Sequence, residues 1–263
     1  MSIAGFIGTG SMGSALARAA GKGGGFDTLL LANRTRDKAE RLALELGGRA
    51  VDNAEAAAAA DVLFLGVEPA ELPEVIAGLR PVLDERESPP LVVSMAAGVE
   101  LAALERMLGE GVPVVRIMPN IPAAVGAGVI LWCASATVSQ AQIDAFLAAM
   151  APAGSFSRLP EEKMKAATGV TGCGPAFAAL FAEALADGAV ACGLPRSLAR
   201  EYAAQTLLGS ARLLLEEGIS PAELKDRVCS PGGSTIQGVR ALEKGGFRSA
   251  VTEAVIAAFE KKF

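Results

Sequence analysis

Two glycine-centred segments and one missing residue type set the chemistry open to this chain. Phe6-Ile7-Gly8-Thr9-Gly10-Ser11-Met12-Gly13 follows a short apolar run and opens a helical pattern. In a GxGxxG segment placed this way, the first glycine permits a tight turn and the second lets the backbone approach a pyrophosphate. The third packs helix on strand. The anion then lies at a helix N-terminus, where N–H groups and the helix dipole favour negative charge. Ile7, Gly8, Thr9, Gly10, Ser11 and Met12 are therefore candidate dinucleotide contacts. The next strand ends at Asn33-Arg34-Thr35. An NAD-preferring site usually places an acid there for the ribose 2′-hydroxyl, whereas this trio offers donors and a permanent cation, a set suited to a 2′-phosphate. NADPH is the expected cofactor, ahead of NADH. A glycine-rich structural turn would leave this trio unexplained.

Further candidates fall at the ends of later strands, where open sheets bind ligands. Gly66-Val67-Glu68-Pro69 and Ser94-Met95-Ala96-Ala97-Gly98 place Val67, Pro69, Ala96 and Ala97 within reach of an inner ribose and nicotinamide. Arg116-Ile117-Met118-Pro119-Asn120-Ile121-Pro122 follows another strand, and its prolines fix a rigid loop that brings Asn120 beneath the same site. Each segment alone reads equally as a strand-to-helix turn; together they favour a cleft.

The second glycine segment, Ser230-Pro231-Gly232-Gly233-Ser234-Thr235, lies between two helical patterns. Consecutive glycines entering a helix expose several N–H groups to one anion, which suits a substrate carboxylate. Ser230, Ser234 and Thr235 add hydroxyls. A helix break with a serine cap is the competing structural account.

The chain has no histidine. That removes the commonest general acid–base and the commonest metal ligand, and no metal is expected. Serine–histidine hydrolases, zinc hydrolases and histidine-dependent hydroxy-acid dehydrogenases are excluded together. The single tyrosine, Tyr202, has Thr206 rather than lysine four positions on, so a tyrosine–lysine proton shuttle is missing as well. A cyclic imine asks for less, because its protonated form is already an electrophile. Positioning, a hydrogen-bond partner at nitrogen and exclusion of water then suffice, and a threonine hydroxyl serves.

Elements that position these groups are legible in the pattern. Ile3–Ile7, Thr28–Ala32, Asp61–Val67, Leu91–Ser94 and Val112–Ile117 are continuous apolar runs, the mark of strands covered on both faces of a parallel sheet. Ser11–Gly21 and Thr35–Leu46 read as intervening helices. The expected architecture is an α/β Rossmann-like N-terminal domain with a doubly wound, mostly parallel sheet, over residues 1–158. Beyond Ser155–Pro160 the pattern becomes helical: Glu161–Thr168, Gly174–Cys192, Arg196–Glu217, Pro221–Val228, Ser234–Lys244 and Arg248–Lys262. Residues 159–263 are thus an all-α domain. Small residues along one face (Ala178, Ala182, Ala186, Ala189–Val190) suit close helix packing. So many apolar faces point to sharing with another subunit.

Composition narrows the setting. In 263 residues, half are hydrophobic and the net charge is -5, with both signs scattered and no basic tract, so nucleic acid is not an expected partner. The most apolar stretch, Cys173–Cys192, is interrupted by Glu183 and Asp187, and no membrane span is expected. No charged leader precedes the first strand. Cys133, Cys173, Cys192 and Cys229 form no CxxC pair, so reduced, mostly buried thiols and a cytoplasmic location are expected.

The segments Phe6–Leu16, Gly66–Pro69, Val115–Gly126 and Gly169–Ala178 resemble pyrroline-5-carboxylate reductases. The run from Leu224 to Ile236, followed by Leu242–Arg248, is the most specific stretch of the resemblance. It implies NADPH-dependent reduction of 1-pyrroline-5-carboxylate to proline, and a helical domain that interlocks with its partner. A dimer is then the minimum unit of the homo-oligomer, with each active site built by two subunits. Thr235 would contact the imine nitrogen and act as the catalytic group. Ser230, Gly232, Gly233, Ser234 and Thr235 would hold the carboxylate. Asn33, Arg34 and Thr35 would take the 2′-phosphate, and Asn53, just before a helix, matches a cofactor-contacting asparagine. Glu68 stands where many relatives carry lysine.

Three alternatives remain beside it. β-Hydroxyacid dehydrogenases carry GxxGxG followed by a catalytic lysine; here Gly169–Gly174 is followed by Ala178, so the base is missing. Imine reductases of uncharged imines would not need the Gly232-Gly233 loop. A non-catalytic NADP sensor would have no reason to keep that loop's converging donors.

Overall fold

The structure, a computed structural model, describes residues 2–261. It divides into two compact units, one running to Gly172 and the other spanning Cys173–Lys261.

In the first unit β1 (Ile3–Ile7) leads into α1 (Ser11–Gly23), β2 (Thr28–Ala32) into α2 (Arg36–Leu46), and the two-residue β3 (Arg49–Ala50) into α3 (Asn53–Ala59). β4 (Val62–Leu65), α4 (Leu72–Asp84), β5 (Leu91–Ser94), α5 (Leu101–Leu108) and β6 (Val114–Met118) continue the alternation. A 3-10 turn at Ile121–Val125 precedes β7 (Gly128–Ala134), α6 (Gln140–Met150), β8 (Gly154–Arg158) and α7 (Glu161–Thr171). The strands form one sheet in the order β3-β2-β1-β4-β5-β6-β7-β8. Every neighbouring pair is parallel except β6–β7.

Alternate side chains of the central strands feed two separate cores, as a doubly wound sheet requires. Phe6, Leu31, Phe64, Val93 and Val115 point to the side covered by α1, α2 and α6. Ile7, Leu30, Leu63, Val92 and Val114 point to the side covered by α3, α4 and α5. On the first side four phenylalanines run in series. Phe6 and Phe64 stack at 4.3 Å, Phe146 lies 6.2 Å from Phe64, and Phe156 meets Phe146 edge-on at 5.7 Å.

The strand order changes direction between β1 and β4, the switch point where such sheets open a crevice. Register aligns the strand ends there. Ile7 pairs with Ala32 on one side and with Leu65 on the other, so the residues that follow, Gly8, Asn33 and Gly66, emerge together.

Several boundaries differ from the sequence pattern. Asp61–Val67 narrows to Val62–Leu65, because the chain leaves the sheet where Gly66 closes on Gly8. Val112–Ile117 shifts to Val114–Met118, behind Pro113, which lacks an N–H. α7 packs through Met164 on Leu131 and Cys133 of β7, which is why the compact division falls after Gly172 and not at 158/159, where the strand pattern ends.

The second unit is all helical: α8 (Gly174–Ala191), α9 (Arg196–Glu217), α10 (Pro221–Val228), α11 (Ser234–Lys244) and α12 (Phe247–Glu260). The last helix, expected over Arg248–Lys262, starts at Phe247 and ends at Glu260 with Lys261 as its C-cap; Lys262 lies outside the described residues. α8 and α9 pack through Ala186, Ala199 and Ala203, with Ala189, Val190 and Leu194 alongside. Of the small-residue face, Ala178 stays exposed. This core is thin, and Leu180, Leu208 and Leu215 are 66%, 53% and 83% exposed within the chain. The expectation of mostly buried thiols fails for the same reason: only Cys133 is buried, and Cys192 on the thin unit is exposed. The stretch Glu161–Ala191 is also, by length and composition, long and apolar enough to cross a membrane. Glu183 and Asp187 interrupt the apolar run without disqualifying it.

Phe64 stands where three rings and two strands meet, so its truncation leaves a void that neighbours cannot fill. Phe64→Ala is expected to lower stability by about 3–5 kcal/mol, read from urea unfolding; a loss below about 1 kcal/mol would remove the ring series from the account of the core.

Candidate functional site

The first candidate site begins with three glycines in mutual contact. Gly8 has φ +92° and donates its N–H to the Ala32 carbonyl at 2.9 Å. A Cβ on Gly13 would fall 2.0 Å from the Gly8 oxygen, and one on Gly66 would fall 2.6 Å from the same atom. The first and third glycines of the motif are therefore required by packing. Gly10 differs: a Cβ there would meet nothing within 4 Å. Its surface is open, as close approach by a pyrophosphate demands. Gly10 is the N-cap of α1 and no side chain caps that helix, so its first N–H groups remain available to an anion. Thr9 is buried beside the loop and its Oγ1 has no partner.

A cleft of about 840 Å³ opens from this loop. Gly8, Gly10, Asn33, Arg34, Thr35 and Asn53 all line it, as do Ile7 and Val67. The Asn33 side chain ties the site together. Its Oδ1 accepts from the Thr9 N–H at 3.1 Å, and its Nδ2 donates to the Thr35 carbonyl at 3.1 Å. Asn33 thus holds the glycine loop against the end of β2. Arg34 reaches across to the Glu71 carboxylate, while most of its side chain stays in solvent. Thr35 is the N-cap of α2 without a side-chain hydrogen bond. Asn53 is the first residue of α3, not the residue before it; Asp52 caps that helix by accepting from the Glu55 N–H at 2.7 Å.

Lys38 and Glu71 also line the cleft and carry no motif signal. Lys38 stands on the first turn of α2, three residues after Thr35, a spacing that places both on one face. Glu71 comes from the start of α4, an element that the end of β2 does not announce.

Other expected residues lie outside the cleft's lining. Ser11 and Met12 enter α1, and Pro69 sits in the turn before α4. Ala96 is buried behind β5, with its N–H directed to Ser94 Oγ at 3.4 Å; Ala97 follows it. Asn120 is buried too. Its Oδ1 accepts from the Val129 N–H and its Nδ2 donates to the Thr171 carbonyl, both at 2.9 Å. It joins the loop after β6 to β7 and to the end of α7.

A second cleft of the same unit, about 680 Å³, is lined by Gly98, Arg116, Met118, Glu161 and Thr168. At its base Arg116 Nη1 meets Glu161 Oε1 at 2.5 Å, and that oxygen also accepts from the Leu101 N–H at 2.7 Å. Behind it, burial and the Glu161 carboxylate push the Cys133 thiol up to about 11, so Cys133 is a packing group and not a nucleophile.

In the second unit, Ser230–Gly233 forms a turn closed by Gly233 N–H to the Ser230 carbonyl at 3.1 Å. Pro231 and Gly232 (φ +71°) occupy its centre, the residues a type II turn prefers. A Cβ on Gly233 would meet Ser230 Oγ at 2.4 Å. Gly233 then caps α11, which has no side-chain cap and no acid in its first turn, so Ser234 and Thr235 stand on an open helix N-terminus. The cations of the preceding helix are committed. Lys225 pairs with Asp226 at 2.5 Å, a contact that raises its pKa. Arg227 pairs with Glu217 and Glu223 at 2.5 and 2.8 Å. Neutral N–H and hydroxyl donors are what this loop offers an anion.

Known proteins resemble the chain along nearly its whole length. A family model described as pyrroline-5-carboxylate reductase dimerisation matches residues 161–262, and one described as NADP oxidoreductase coenzyme F420-dependent matches residues 3–98. The chain is 46% identical over 210 residues to the pyrroline-5-carboxylate reductase of a Synechocystis strain, covering 80% of this chain and 77% of the relative. It is 41% identical to that of Methanosarcina acetivorans, over 98% of this chain and 95% of the relative. The crystal structure of the Plasmodium falciparum pyrroline carboxylate reductase with NADP bound superposes with a TM-score of 0.86 at 30% identity, covering 98% and 96% of the two chains.

The glycine geometry separates two effects. Gly10→Ala is expected to leave thermal stability unchanged while abolishing measurable NADP+ binding in a fluorescence titration. Gly13→Ala forces the loop apart and is expected to cost about 1–3 kcal/mol. Equal melting temperatures for the two variants would contradict the close approach of Gly13 to Gly8.

Proposed function

The chain belongs to the pyrroline-5-carboxylate reductase family, and from that premise we infer that it reduces 1-pyrroline-5-carboxylate to L-proline with NAD(P)H, the last step of proline biosynthesis. The observation that carries the site assignment is the Ser230–Gly233 turn, which delivers Thr235 onto an uncapped helix N-terminus and follows a helix whose last-turn cations are already paired.

Residues 1–158 hold the cofactor, and residues 159–263 carry the substrate loop and the dimer contacts. The cofactor fits the first cleft on three counts: the open space over Gly10, the unpartnered Thr9 Oγ1, and the cations Arg34 and Lys38. Gly8–Met12 take the pyrophosphate. Arg34 leads the contacts to the 2′-phosphate, with Thr35 and Asn33 beside it, which favours NADPH over NADH. Asn53, Val67, Pro69, Ala96, Ala97 and Asn120 complete the contacts or hold the loops that make them. The reduced nicotinamide, when bound, supplies a hydride.

This chain's residues supply position and polarity. The backbone N–H groups of Gly232–Thr235 and the hydroxyls of Ser230 and Ser234 bind the substrate carboxylate. Thr235 Oγ1 is the partner of the imine nitrogen. Hydride adds to the carbon of the protonated C=N bond, and the C=N electron pair moves to nitrogen, giving a secondary amine. No further proton is needed in that step, which is why a chain without histidine carries it out.

A dimer is the minimum active unit, its partner covering the apolar helix faces that bear Leu180, Leu208 and Leu215. The same contact accounts for the exposed apolar stretch of Glu161–Ala191 without a membrane. Four free cysteines fit the reducing cytoplasm.

Oxidation of NADPH with pyrroline-5-carboxylate, followed by nicotinamide absorbance, tests the reaction; an uncharged cyclic imine turned over equally well would remove the carboxylate role of the Ser230–Thr235 loop. Thr235→Ala is expected to lower kcat by about a hundredfold with NADP+ affinity unchanged. Full activity in that variant would remove Thr235 from the chemistry.

A further inference from the structure

We propose that Glu71 is a specificity-determining residue of the cofactor cleft, supplying from the start of α4 the acid that the end of β2 lacks. The inference rests on the reading that Arg34 receives the 2′-phosphate.

The two walls of the cleft differ in charge. Arg34 and Lys38 come from the β2–α2 side, whereas Glu68, Glu71 and Glu74 come from the segment that begins α4. One contact crosses between them, from Arg34 Nη1 to Glu71 Oε1. Both ends have fixed backbones. Asn33, just before Arg34, is held by its bonds to Thr9 and Thr35. The Glu71 N–H donates to the Glu68 carbonyl at 3.0 Å, and the Val75 N–H donates to the Glu71 carbonyl at 3.1 Å. Leu72, next in sequence, is fully buried. Side-chain rotation alone can make or break this pair.

Arg34 therefore has two competing anionic partners. A 2′-phosphate competes with the Glu71 carboxylate for the guanidinium, and a carboxylate that stays beside it faces a like charge. A 2′-hydroxyl makes no such demand. It leaves Arg34 neutralised by Glu71, and the carboxylate can accept a hydrogen bond from the ribose, the role an acid plays in NAD sites. Glu71 thereby restrains the preference that Arg34 creates and keeps NADH usable. An exposed ion pair is weak enough to be exchanged in this way, worth up to about a fivefold change in an equilibrium.

Binding of NADP+ and NAD+ to the full-length protein, by calorimetry, tests this. Glu71→Gln is expected to tighten NADP+ about fivefold and not to tighten NAD+. In an Arg34→Ala background the same substitution should leave NADP+ affinity unchanged. Glu74→Gln lines the same cleft without touching Arg34 and should have a smaller effect. Unchanged NADP+ affinity in Glu71→Gln, equal tightening of both cofactors, an equal effect of Glu74→Gln, or a full effect surviving in Arg34→Ala would each overturn the proposal. If Arg34→Ala alone leaves NADP+ affinity unchanged, the 2′-phosphate reading itself falls. Melting temperatures of all variants, each altered at an exposed side chain, separate binding from folding.

Discussion

The carbonyl oxygen of Gly8 is the point on which the cofactor unit depends. It lies where Cβ atoms of both Gly13 and Gly66 would collide with it, so β1, α1 and the end of β4 meet with no side chain between them. That approach lets α1 lie against the sheet directly above the switch point, with its N-terminus aimed over the crevice. Removing any one of these contacts would tilt the helix or widen the gap between β1 and β4. Asn33 extends the same constraint sideways by holding Thr9 and Thr35 from one amide. The site is thus built by backbone proximity first and by charged side chains second.

The two units solve the problem of burial differently. The sheet is buried on both faces by helices from its own chain, and its cores contain large side chains in close contact. The helical unit buries alanines and leaves leucines outside. Its loop chemistry follows the same economy: cations are held in local pairs, and the anion site consists of N–H groups on a helix end.

Much of this was legible in the sequence, and the reasons for the rest are specific. β1, β2 and β5 match their apolar runs residue for residue, and α9, α10 and α11 match their expected limits, because capping residues and prolines mark them sharply. β7, α6 and β8 did not stand out. β7 makes the sheet's one antiparallel pairing, with β6, and starts at a glycine after a 3-10 turn, so it lacks a strand–helix rhythm. α6 did carry a signal, the reciprocal Ser139–Gln142 capping box. In the cleft, the glycines and Asn33–Thr35 were readable because their spacing is local. Lys38 and Glu71 were not, since their place on one cleft depends on where the first turns of α2 and α4, helices on opposite faces of the sheet, come to lie. The inward bonding of Asn33 and Asn120 was equally hidden, because a donor's type does not disclose which acceptor it finds.

The sparse alanine core of the helical unit has a consequence for how its stability is defined. If the proposed dimer covers its exposed leucines, the unit has no fixed unfolding free energy of its own; the value depends on protein concentration through mass action. On that assembly dilution acts on it as a denaturant would, while the sheet-containing unit buries its two main cores within one chain. Cellular abundance thereby becomes one of the forces that fold the molecule.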